Sequence, residues 1–192
     1  MRKLVVAITG TPGTGKSTFA KRFSNRLDSC RIIEINGVVE RNALYSGKDQ
    51  FGSKIVDIAR LNRALKAEIK KADASVVLVV GHLVPDLDLR QDVTIVLRAK
   101  LKTLIRRFEK RDYPEGKIRE NLVAEATDYC GIVSRERCAG TYDAETAADR
   151  GKVMAYILNL SKHVDAREPA KKAIEKMDEL LKLIEAGNRF GL

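Results

Sequence analysis

Apolar residues recur with two different periods along this 192-residue chain. Residues 3–9 form a near-continuous apolar run around Leu4-Val5-Val6-Ala7-Ile8, the pattern of a strand covered on both faces. A glycine-rich turn follows. Phe19, Phe23 and Leu27 then recur every four residues, which predicts a helix over 16–28. Residues 31–35 read as a second strand, and 36–52 are polar and turn-rich. Ser53 is placed to cap a helix running to about 71, with Ile58, Leu61, Leu65 and Ile69 on one face. Further strands are predicted at 75–80, 92–97 and 153–158. Helices are predicted at 101–110, from Gly116 onward, and at 169–187, opened by Pro169 and ended by Gly187. Residues 126–152 read as short helical pieces punctuated by Gly131 and Gly140.

Strands that alternate with helices pair in parallel through right-handed crossovers. The pattern therefore predicts an α/β fold: a three-layer sandwich around a sheet of about five parallel strands. No internal repeat, low-complexity tract or linker divides the chain, so residues 1–192 are expected to form a single domain. In such sheets ligands bind at the carboxyl ends of the strands.

Composition narrows the class. With 44% hydrophobic and 32% charged residues the chain is not expected to be disordered. No apolar run approaches the roughly 20 residues of a membrane span. The run after Met1-Arg2-Lys3 is too short for a signal peptide and ends in a Gly/Lys loop, so a cytoplasmic protein without membrane association is expected. Cys30, Cys130 and Cys138 are too few and too scattered for a disulfide framework or a zinc site, even with His82 and His163. The net charge of +10 predicts attraction to polyanions. Residues 98–120 concentrate it, with nine Lys/Arg against four acids. Charge alone leaves a solvated helix face as the simpler reading of that segment.

The chemistry-bearing motif follows the first strand. Gly10-Thr11-Pro12-Gly13-Thr14-Gly15-Lys16-Ser17-Thr18 fits G-x-x-x-x-G-K-[ST]. Its glycines let the backbone turn tightly, and successive N–H groups form a nest for an anion at a helix N-terminus. Gly13, Thr14 and Gly15 are assigned to the nest. Lys16 is assigned to the β- and γ-phosphates, the Ser17 hydroxyl to Mg²⁺ and Thr18 to the α-phosphate. The motif predicts binding of ATP without saying where the phosphate goes.

Four passages give the chain a family resemblance: this loop, Asn36-Gly37-Val38-Val39-Glu40-Arg41, Gly81-His82-Leu83, and Arg107 to Tyr113 continuing through Lys117-Ile118-Arg119-Glu120-Asn121 to Glu125. Over roughly residues 4–125 it resembles the adenylate kinases. It is most similar to the small branch of archaeal members and the eukaryotic nuclear adenylate kinase/ATPase of small-ribosomal-subunit maturation. The resemblance implies an adenylate-kinase-like P-loop NTPase fold with a monophosphate-binding segment at 36–55 and a short lid at 110–120. It implies that Gly37 and Arg41 receive the AMP phosphate. Arg107 and Arg111, one helical turn apart, would clamp the transferring phosphoryl group, with Arg111 also on ATP. Related enzymes end the third strand with an acid. This chain has Val80 there, and only the histidine, His82, matches; it is expected to polarise water or phosphate.

The expected function is thus a nucleoside monophosphate kinase, ATP + AMP = 2 ADP, with Mg²⁺ and an associated ATPase activity. Two alternatives remain open. One is a nucleotide-switched ATPase that assists small-ribosomal-subunit maturation, with a ribosomal protein and pre-rRNA as partners. The other is a kinase for another monophosphate.

Overall fold

The computed structural model describes residues 2–162. Five parallel strands form the central sheet in the order β2-β5-β1-β6-β7. These are β1 (Leu4–Thr9), β2 (Cys30–Glu34), β5 (Val76–Val80), β6 (Val93–Leu97) and β7 (Thr141–Ala144), and every adjacent pair runs parallel. The apolar runs explain the three central strands. All residues of β1, β5 and β6 are buried, because helices cover both faces of the sheet.

Side-chain alternation splits the interior into two cores. Val6, Ile8, Leu78, Val80 and Ile95 pack with Phe19 and Phe23 of α1 (Lys16–Ser24) and with Val153 and Ile157 of α7 (Ala147–Lys162). Val5, Ala7, Ile33, Val77 and Val79 pack on the other face with Val38 of α2 (Ile35–Arg41) and Leu61 and Leu65 of α3 (Ile58–Lys71). Between α2 and α3 a small antiparallel hairpin, β3 (Tyr45–Lys48) and β4 (Lys54–Val56), stands apart from the main sheet. Three helices, α4 (Leu101–Glu109), α5 (Glu115–Ala126) and α6 (Tyr129–Arg137), carry the chain from β6 to β7.

The architecture agrees with the α/β expectation, but several elements differ. The fifth strand is β7 at 141–144; residues 153–158, expected as a strand, lie inside helix α7. Val153, Met154, Tyr156, Ile157 and Leu160 are its buried positions, a helical period that a continuous apolar run conceals. Ser53 does not cap the third helix. The chain first forms β4, and Asp57 caps α3 by accepting from the Arg60 N–H at 2.9 Å. Ile35, expected to end the second strand, and residues 36–41, expected as turn-rich, form helix α2. The helix expected at 169–187 lies outside the described residues.

Candidate active site

The loop between β1 and α1 bends through three glycines with positive φ, at 131° for Gly10, 86° for Gly13 and 96° for Gly15. At Gly10 the space is also closed: a Cβ there would lie 2.2 Å from the Leu97 carbonyl oxygen. Lys16 folds over the loop and donates from Nζ to the carbonyls of Gly10 at 2.7 Å and Thr11 at 3.0 Å. Burial pulls its ammonium down to a pKa of about 8, against attraction from Cys130, Glu125 and Glu34. Ser17 and Thr18 are exposed at the start of α1.

A cavity of about 740 Å³ opens over this loop at the carboxyl end of the sheet. Gly13, Gly15, Lys16, Ser17 and Thr18 form its floor, and Gly81, His82 and Glu34 one wall. Arg111 and Lys117 line it from the α4–α5 side, and Asn36, Glu40 and Lys54 from the α2 and β4 side. Gly81 is required by the packing: a Cβ would sit 2.7 Å from Ile35 Cδ1, so α2 could not approach the tip of β5. His82 is held neutral, its pKa lowered to about 4 by burial and then by the Lys16 charge, with Asp86 and Lys117 acting in opposite senses.

Four predicted residues, Thr14, Gly37, Arg41 and Arg107, lie off the cavity wall. Thr14 is buried, its hydroxyl donating to the Thr11 carbonyl at 2.9 Å. Arg41 turns to α3 and pairs with Glu68 at 3.0 Å. Its neighbour Glu40 reaches the cavity instead and pairs with Lys54, because successive residues on a helix point about 100° apart. Gly37 packs beneath Arg41, whose Nη1 lies 3.0 Å from where its Cβ would be. Arg107 sits beside the loop, donating from Nη1 to the Gly13 carbonyl at 2.5 Å. Arg111 thus lines the cavity, whereas Arg107 contacts the loop backbone without lining it. Phe108 stacks on Tyr113 at 5.3 Å between centroids, and the Lys117 ammonium lies 4.8 Å from the centre of the Tyr113 ring.

Sequence reasoning missed Lys54, Lys117, Glu34 and Arg150 as site residues. Arg150 of α7 donates to the carbonyls of Thr14 and Arg98, both at 3.3 Å, and braces the loop from behind. No local pattern announces it. Glu125 is buried beside the same region; it accepts from the Ala99 N–H at 3.0 Å and lies 3.4 Å from Arg98. Cys130, also buried there, has its thiol pKa raised by burial. Among the described residues no group of three or more His, Cys, Asp or Glu is arranged to hold a metal ion by itself. The cavity does offer hard oxygen donors, the Ser17 hydroxyl and the Glu34 carboxylate. They suit an ion such as Mg²⁺ that is carried largely by substrate phosphates and water.

A family model described as an AAA domain matches residues 6–128, a span that holds the loop, the α2 segment, His82 and both arginines of α4 and its end. The protein named "Putative adenylate kinase" of Methanocaldococcus jannaschii is 32% identical over 182 residues, covering 93% of this chain and 97% of that one. The chain belongs to the family of these adenylate-kinase-like proteins. Another member of the adenylate-kinase-like family, from Methanococcus maripaludis, is 36% identical across 70% of this chain and 74% of its own. One from Halobacterium salinarum is 41% identical across 63% and 66%. Among solved structures, shikimate kinase from Bacteroides thetaiotaomicron superposes with a TM-score of 0.51 at 15% identity, covering 93% of this chain and 98% of that one. Shikimate kinase from Acinetobacter baumannii gives 0.51 at 13% identity over 86% and 96%. These likenesses establish the P-loop kinase fold for this member of the adenylate-kinase-like family.

Proposed function

We propose that the protein transfers the γ-phosphoryl group of ATP to AMP, giving two ADP. The observation that supports this most directly is the continuity of the cavity. It runs from the phosphate loop to the α2–β4 wall, so a second nucleotide can lie against the one held by the loop. Phosphoryl transfer asks little covalent chemistry of a protein; it asks for alignment and for neutralisation of spreading negative charge.

The loop amides and Lys16 hold the donor phosphates. Before ATP binds, Lys16 donates to two loop carbonyls, and phosphate oxygens take their place as acceptors. Thr18 donates to the α-phosphate. Arg111 and Lys117 bring positive charge down from the α4–α5 side. Arg107 secures the loop through the Gly13 carbonyl. His82, neutral near pH 7, holds water or a phosphate oxygen through a hydrogen bond and contributes no cationic charge. Residues 110–120 close over the cavity and exclude water as a competing acceptor. Mg²⁺ would be held by Ser17 and the substrate phosphates, and would supply charge neutralisation.

Gly37 and Arg41 are assigned to the AMP phosphate, with Arg41 leaving Glu68 to reach it. Lys54 is the competing cation, since it already lines the wall. Replacing each by Ala separates them: the residue that binds the acceptor phosphate raises KM for AMP at least about tenfold, as loss of a charge-assisted contact does.

A second reading is ATP hydrolysis without an acceptor, in an assembly factor for the small ribosomal subunit. The engagement of Arg41 by Glu68 favours it, as does the +10 charge, which suits a ribosomal protein or pre-rRNA surface. Product analysis decides. Two ADP formed per ATP only when AMP is present supports the kinase. Phosphate release independent of AMP and stimulated by RNA supports the assembly factor.

A further inference from the structure

β2 and β5 pair in register, with Glu34 opposite Val80 at the carboxyl end of both strands. In-register parallel partners point to the same face. Val80 packs with Phe19 and Phe23 of α1, so Glu34 faces the same layer. Val80 has no side-chain oxygen to offer a cation. Glu34 lies one strand further out, a lateral step of about 4.8 Å. Its carboxylate lines the cavity with Ser17 and Thr18 and exerts an attractive field on Lys16.

Three carboxylates line this cavity: Glu34, Glu40 and Glu120. Glu40 is paired with Lys54. Glu120 extends from α5 on the far wall. Glu34 makes no ion pair or side-chain hydrogen bond among the described residues. It also leaves the first turn of α2 uncapped by its side chain, although it occupies the capping position. An acid half-buried beside a phosphate loop, without a short-range partner, is costly unless a cation arrives with the ligand.

We infer that Glu34 is a positioning residue for the Mg²⁺ that accompanies ATP: from the tip of β2 it accepts hydrogen bonds from water on the ion, while Ser17 ligates the ion directly. Mg²⁺ keeps several waters and is usually bound by one or two protein oxygens plus phosphates, so a carboxylate at this remove suffices. This rests on the ATP-binding reading above and adds the residue that fixes the ion.

The test is Glu34→Gln, which keeps size and hydrogen-bonding atoms and removes the charge. Mn²⁺ is titrated into the protein–ATP complex and free Mn²⁺ is read by electron paramagnetic resonance. The variant is expected to bind Mn²⁺ about tenfold more weakly, the scale seen when an outer partner of a metal site is removed. Its affinity for ATP in EDTA is expected to be unchanged or higher, because a negative charge near the phosphates is gone. In turnover assays the Mg²⁺ concentration for half-maximal rate should rise, and excess Mg²⁺ should restore kcat. Mn²⁺ affinity within twofold of the parent overturns the inference. So does a variant whose defect appears only in KM for the acceptor, which would place Glu34 on the second substrate. Failure of the parent to bind ATP would sink the nucleotide reading itself, a result separable from either of these.

Discussion

Lys16 carries the clearest pH signature. Its pKa of about 8 lies below the ordinary 10.5, so between these values the unfolded chain holds the extra proton. Stability of the nucleotide-free protein therefore rises with pH across that window. ATP affinity has the opposite sign, because phosphates require the ammonium form. It should fall by up to about tenfold per pH unit above pH 8, measured calorimetrically, and Lys16→Arg should flatten the slope. At Gly10 a methyl group would meet the Leu97 carbonyl and the backbone would be strained at φ 131°. Gly10→Ala should cost about 3 kcal/mol by denaturant unfolding and abolish ATP binding. These residues were legible in the sequence because the loop is local: nine consecutive positions bring its glycines, Lys16 and Ser17 together. Lys54 was not legible. It reaches the cavity only because the β3–β4 hairpin returns the chain beside α2, a placement with no short-range signal.

At the scale of elements, the core strands were readable because continuous burial leaves an unbroken apolar record. The same rule misled at 153–158. Val153-Met154-Ala155-Tyr156-Ile157-Leu158 is as apolar as a strand, but it belongs to a 16-residue helix whose polar face shows only over a longer window. The true edge strand, Thr141–Ala144, is four residues long and buries only its last residue, too little to stand out. Substitution separates the two conformations. Ile157→Ala should cost about 2–4 kcal/mol. Ala155, exposed on α7, should accept Lys with a change within about 0.5 kcal/mol by chemical unfolding. A strand would have put 155 and 157 on one face and made both costly.

Across the whole molecule, a chain of charges links the end of β6 to β7. Arg98 pairs with Asp128, Asp128 with Arg135, and Arg135 with Asp143 at 2.7 Å. It fixes the residues between α5 and β7, the stretch least readable from sequence, because none of these partners is adjacent along the chain. Among the described residues no helix is long and apolar enough to cross a membrane. Among the described residues, the hydrogen bond with the longest sequence separation is that of Arg150, which grips the loop 136 positions earlier in the chain. Arg150→Met keeps the aliphatic stem and removes the donors. It should lower the melting temperature, by loss of about 1–2 kcal/mol, and weaken ATP binding in the same calorimetric assay. That connection also sets an order of events during synthesis. The phosphate-loop nest emerges from the ribosome well before its brace, which is translated 136 positions later. Over that interval a nascent chain exposes an unsupported cradle, and firm capture of nucleotide awaits the helix that carries Arg150.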